Sequence, residues 1–133
     1  MIFAPVFILL YVAHLLADYP LQTDHQADHK AEQSAAGWRA NLAHAAIHVA
    51  VSALLLGLGA LLLNLSVAPV PAAAGLLWIG ASHSLIDRRR GVQWWMKNTG
   101  QPEFLKHGGA AHVDQTAHIA ALTVAALAIT TTA

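Results

Sequence analysis

The sequence contains no cysteine. That excludes disulfides, thiolate zinc sites, thiolate-held iron–sulfur clusters and cysteine nucleophiles. Charge is scarce too: Asp, Glu, Lys and Arg make up 11% of 133 residues, against about 25% in an ordinary soluble domain. Seven basic and seven acidic side chains cancel, so no bulk charge points to a nucleic-acid partner. No phosphate-cradling glycine loop, nucleotide fingerprint or Ser-His-Asp nucleophile motif is present. The alternation of a β-barrel strand is missing, which leaves helices as the spanning option. The first apolar run lacks the basic flank and small-residue cleavage site of a signal peptide, and is expected to be retained as a membrane helix.

What remains is apolar. The chain is 56% hydrophobic with a mean hydropathy of +0.50, more apolar side chain than a soluble protein of this length can hide. Four apolar runs predict helices over about 2–18, 41–65, 70–87 and 113–130. The first is at the lower edge of the roughly 17–25 residues needed to span. The expected architecture is one all-α domain over 1–133, a polytopic membrane four-helix bundle, with short interfacial helices in the two long loops. Gly57, Gly59, Gly75 and Gly80 suit close helix packing.

Each run carries two metal-type ligands four residues apart: His14/Asp18, His44/His48, His83/Asp87 and Asp114/His118. Residues i and i+4 lie one above the other on one helix face. The pairs fall at the end of the first helix, the start of the second, the end of the third and the start of the fourth. Antiparallel threading therefore puts all four at one depth on one side of the bilayer. Five imidazoles and three carboxylates at that level are expensive to bury without compensation. A divalent cation compensates them.

All seven Lys and Arg lie in the loops of 21–41 and 88–112. The positive-inside rule then places those loops and the site on the cytoplasmic side of a bacterial inner membrane, with both termini outside. Trp38, Trp94 and Trp95 lie in or beside the loops, where an aromatic belt would form, and Arg88–Arg90 read as an orientation signal. Asp24/Asp28 and His25/His29 read as the wet face of a surface helix rather than as ligands. His107 and His112 flank Gly108–Gly109; whether these two, or His25 and His29, join the site stays open.

Imidazole and carboxylate without thiolate suit zinc, iron or manganese rather than magnesium or calcium. The metal ligands expected are His14, Asp18, His44, His48, His83, Asp87, Asp114 and His118. Eight donors exceed one tetrahedral shell, which suggests two ions with a bridging Asp. Asp18 or Asp114 could act as a catalytic base instead of a ligand.

The segment His14-Leu-Leu-Ala-Asp18-Tyr-Pro-Leu-Gln22-Thr-Asp24, followed by His44, His83-x-x-x-Asp87 and Asp114-Gln115-x-x-His118, resembles a family of small bacterial membrane proteins catalogued as domain of unknown function 3307. Tyr19-Pro20 replaces the family's usual Phe and aliphatic residue. The resemblance covers nearly the whole chain. It implies a membrane location and a shared polar site, and its motifs add Gln22, Asp24 and Gln115 as residues that would orient the ligands.

The leading expectation is metal-dependent hydrolysis of a lipid-like or amphiphilic ester or phosphoester. The alternatives are a di-iron membrane oxygenase, and a non-catalytic, metal-stabilised membrane subunit or ion carrier. Ile2–Leu10 and Val49–Leu63 offer almost no polar path to the far side, which argues against a carrier. The expected partners are membrane lipid and an amphiphilic small molecule; a homo-oligomer is compatible with the sequence.

Overall fold

The computed structural model describes residues 2–131. Among them it contains seven helices and no strand: α1 (Phe3–Asp18), α2 (Asp24–His29), α3 (Ala35–Leu62), α4 (Pro69–Asp87), α5 (Arg90–Asn98), α6 (Pro102–Lys106) and α7 (Ala110–Thr130). α1 packs against α3 and α7, and α4 against α3 and α7. The four long helices thus close a ring in the order α1, α3, α4, α7.

Local chemistry sets the boundaries. α3 begins several residues ahead of its apolar run because Ser34 caps it, its hydroxyl accepting from Gly37 N at 3.0 Å. It ends where Asn64 takes a left-handed backbone, φ 51. Pro69 then opens α4 at its first turn, where a missing N–H costs nothing. α2 is held by a capping box between Thr23 and Gln26. The second long loop forms two short helices, α5 and α6, with Val92 and Met96 of α5 turned inward. Arg89, φ 60, makes the sharp turn from α4 into α5.

The interior has two ends. Val6, Leu10, Leu56, Ile79, Leu122 and Ile129 fill one end with apolar side chains. The other holds His14, Asp18, His44, His48, His83, Asp87 and His118, all buried. The outside is the reverse, with Ile8, Leu54, Leu61, Leu77, Leu85 and Leu127 exposed. Water would not tolerate that arrangement; hydrocarbon would. α3, α4 and α7 are each long and apolar enough to cross a membrane. α1 has 16 residues, about 24 Å at 1.5 Å per residue.

Of Gly57, Gly59, Gly75 and Gly80, three sit at helix contacts. A Cβ on Gly75 would lie 2.7 Å from the Ile129 side chain, and one on Gly80 would lie 2.8 Å from Val49. A Cβ on Gly59 would collide with Leu9, whereas Gly57 faces open space.

Candidate metal centre

Asp18, in the last turn of α1, is the hub of the buried end. Its Oδ1 lies 3.1 Å from His48 Nε2, 3.2 Å from His44 Nε2 and 3.7 Å from His83 Nε2. Its Oδ2 lies 3.2 Å from His14 Nε2. His44 and His48, one turn apart on α3, approach with their Nε2 atoms 3.3 Å apart. Donors around one tetrahedral ion, with bonds of about 2.0–2.2 Å, would stand about 3.3 Å from one another. Asp18, His44, His48 and His83 each offer a donor atom, all within 4.8 Å of one another.

A second group overlaps the first. His83, Asp87 and His118 also converge, with His83 Nε2 3.2 Å from Asp87 Oδ2 and His118 Nε2 3.9 Å from Asp87 Oδ1. His83 Nε2 and His118 Nε2 are buried and make no aligned hydrogen bond, whereas Asp87 Oδ2 is paired with Lys30 Nζ at 3.0 Å. Leaving each imidazole so would cost about 1–3 kcal/mol. One cation would satisfy both imidazoles, and with Asp87 the donor set is that of a zinc, iron or manganese site. The two groups share His83, whose ring lies 3.5 Å from that of His48 and 4.2 Å from that of His118, centroid to centroid. One Nε2 lone pair serves one ion, so His83 could belong to only one of two ions.

Asp114 stands elsewhere. His118 Nδ1 lies 3.0 Å from the Asp114 carbonyl oxygen and 3.3 Å from its Oδ2. Those oxygens accept, so Nδ1 carries the proton and the Nε2 lone pair faces the cluster. Asp114 therefore orients His118 from behind. At 23% exposure, it also lines a cleft of about 520 Å³ that reaches Asp87 from the surface. α7 begins at Ala110, so Asp114 is in its second turn rather than at its start.

The amide and carboxylate residues taken from the motifs divide. Gln115 reaches the centre: its Oε1 is 3.2 Å from His14 Nε2, and its Nε2 is 3.4 Å from Asp18 Oδ2. Gln22 donates to the Asp18 carbonyl at 3.0 Å and closes the end of α1. Asp24 departs from its expected place beside the ligands: it is exposed at the first turn of α2, where its charge meets the positive end of the helix dipole. His25 and His29 stack on each other at 4.4 Å on α2, while His112 stacks on Phe104 at 6.1 Å and His107 is exposed. None of the four belongs to the buried groups.

Two basic residues read from sequence as topology signals are structural parts of the site. Lys30, at the end of α2, puts Nζ 3.0 Å from Asp87 Oδ2 and 3.3 Å from His44 Nε2. Arg88 is buried and donates to the carbonyls of Lys30 at 3.2 Å and Glu32 at 2.6 Å. Its guanidinium stacks over Trp38 at 4.2 Å. Asn41 binds Ser84 twice, through its amide to the Ser84 carbonyl at 3.1 Å and through the Ser84 hydroxyl. Arg88 thus fastens the first loop over the centre. Charge-assisted bonds of this kind contribute about 1.5–3 kcal/mol. Arg88→Ala is expected to speed amide hydrogen exchange across Asp24–Gly37 at least tenfold while that of α7 stays as it was. Unchanged exchange in that segment would show that Arg88 does not hold the loop.

Neither the curated proteins nor the solved structures contain a match to this chain. A family model described as "Protein of unknown function (DUF3307)" matches residues 6–133, which takes in the whole of the buried centre, and the chain belongs to that family.

Proposed function

We propose that this chain is a membrane-embedded four-helix bundle whose His/Asp centre holds divalent metal and hydrolyses an amphiphilic ester or phosphoester. The observation that carries the reading is the convergence of buried donors from four helices, with Nε2 of His83 and of His118 aimed inward and making no aligned hydrogen bond. Two ions find enough donors if His83 serves only one of them. His14, Asp18, His44 and His48 then form one set, and His83, Asp87 and His118 the other.

A zinc or iron ion there would supply Lewis acidity and a water of lowered pKa. The chain's own groups do the rest. The cleft beside Asp87 admits substrate from the loop-bearing end. Asp114 lines it as the most exposed of the site's carboxylates, and in this reading takes a proton from the attacking water. Lys30, already 3.0 Å from Asp87, offers its charge to an oxygen of the leaving anion. Asp18, enclosed by imidazoles, is a ligand in this reading rather than a base.

The test is turnover by metal-replete protein on a panel of amphiphilic esters and phosphoesters. At saturating metal, Asp114→Asn is expected to lower kcat by about 100-fold or more, while metal affinity falls by no more than the about 10- to 100-fold of a lost outer partner, because Asp114 lies outside both donor groups. Hydrolysis of no panel member would overturn the reading, and dioxygen consumption by an iron-loaded form would replace it with oxygenase chemistry. The same reading places both long loops in the cytoplasm, since all seven Lys and Arg lie there. A C-terminal reporter is expected to be active only outside the cytoplasm, and one active inside would reverse the orientation.

A further inference from the structure

The cleft does not stand alone. On the far side of Val92 runs an apolar groove of about 430 Å³ between α4, α5 and α7. Leu85, Ile86, Trp95, Val113 and Ala117 line it, and Val92 is common to cleft and groove. Leu85 and Trp95 are exposed, so the groove opens on the apolar outside of the molecule. The cleft on the other side carries the charged side chains Lys30, Arg89, Asp87 and Asp114. Lys30 is engaged with Asp87 at 3.0 Å, whereas Arg89 makes no ion pair among the described residues. The turn at φ 60 that leads from α4 into α5 sets Arg89 in the cleft wall.

Two cations and two carboxylates leave the cleft without net charge. A divalent ion on the Asp87 side makes it positive. Arg is the side chain best suited to grip a phosphate there, with its fork of donors.

We propose that cleft and groove take the two ends of one ligand: an acyl lipid with a phosphate-monoester head. The head lies against Arg89 and Lys30 at the mouth of the centre, and the chain passes Val92 into the groove along Trp95. This rests on the reading of the centre as metal-loaded, and it names the substrate class.

The experiment uses the full chain, metal-loaded, in nanodiscs of phosphatidylcholine. The probe is lysophosphatidic acid brominated on its acyl chain, read by quenching of tryptophan fluorescence. Half-saturation is expected at least tenfold below that of brominated lysophosphatidylcholine, and Trp95→Phe should remove most of the quenching. Arg89→Asn suits the left-handed backbone while deleting the charge, and should weaken binding at least fivefold; Arg89→Lys, which keeps the charge but loses the fork, should restore only part of it. Ala117→Leu, which fills the groove, should abolish quenching. Inorganic phosphate at millimolar concentration should not compete. Equal quenching by both heads, quenching that survives Trp95→Phe, tighter binding of a brominated fatty acid, or displacement by free phosphate would each overturn the proposal. Metal-dependent hydrolysis without head-selective binding would sink this site alone. Head-selective binding without hydrolysis would sink the hydrolase reading alone.

Discussion

Asp18→Asn is expected to strip the centre of metal and to loosen the end of the molecule that contains it. One carboxylate stands within 3.7 Å of four imidazoles: His48, His44 and His83 on Oδ1, and His14 on Oδ2. Asn keeps the shape but loses the charge and turns one oxygen into a donor. Loss of an outer partner to a ligand typically costs about 10- to 100-fold in metal affinity, and loss of the central carboxylate should exceed that. Asp18→Ala should cost more in stability as well, about 3–5 kcal/mol, the range found when one member of a buried charged set is deleted. Elemental analysis and thermal unfolding of the two variants check this together. Wild-type metal content in Asp18→Asn would remove Asp18 from the ligand set.

His83→Ala is expected to be the most damaging single imidazole loss. His83 belongs to both donor groups, so its removal leaves the first with three members and the second with two. His25→Ala and His29→Ala are the controls. Their rings stack on each other on α2, away from the buried cluster, and both variants should keep wild-type metal content and melting temperature. A His83→Ala protein that retains full metal, or a His25→Ala protein that loses it, would contradict the assignment of the site.

The i, i+4 pairs make the centre legible in the sequence. Helical spacing fixes which residues share a face, and antiparallel threading fixes which ends share a level. His14, Asp18, His44, His48, His83, Asp87 and His118 all lie at the buried polar end for those two reasons. Periodicity does not say which face of a ring points inward, so the place of Asp114 behind His118 was invisible in the sequence. Lys30 escaped for a different reason. It lies on a loop with no apolar period, and its arrival beside Asp87 depends on α2 folding back onto α3. Arg88 sits in a basic triplet that charge counting treats as one signal, but only this member turns inward onto Trp38. The early start of α3 was written in Ser34, a cap ahead of a stretch too polar to register as an apolar run.

The most direct measurement is the metal content of the full-length protein, purified in mild detergent without chelator and passed through size exclusion. At least one zinc, iron or manganese ion per chain should stay bound, rising toward two on saturation, and its removal by chelator should lower the melting temperature. Protein that carries no such metal, takes up none when it is offered, and melts at the same temperature with chelator present would contradict the account.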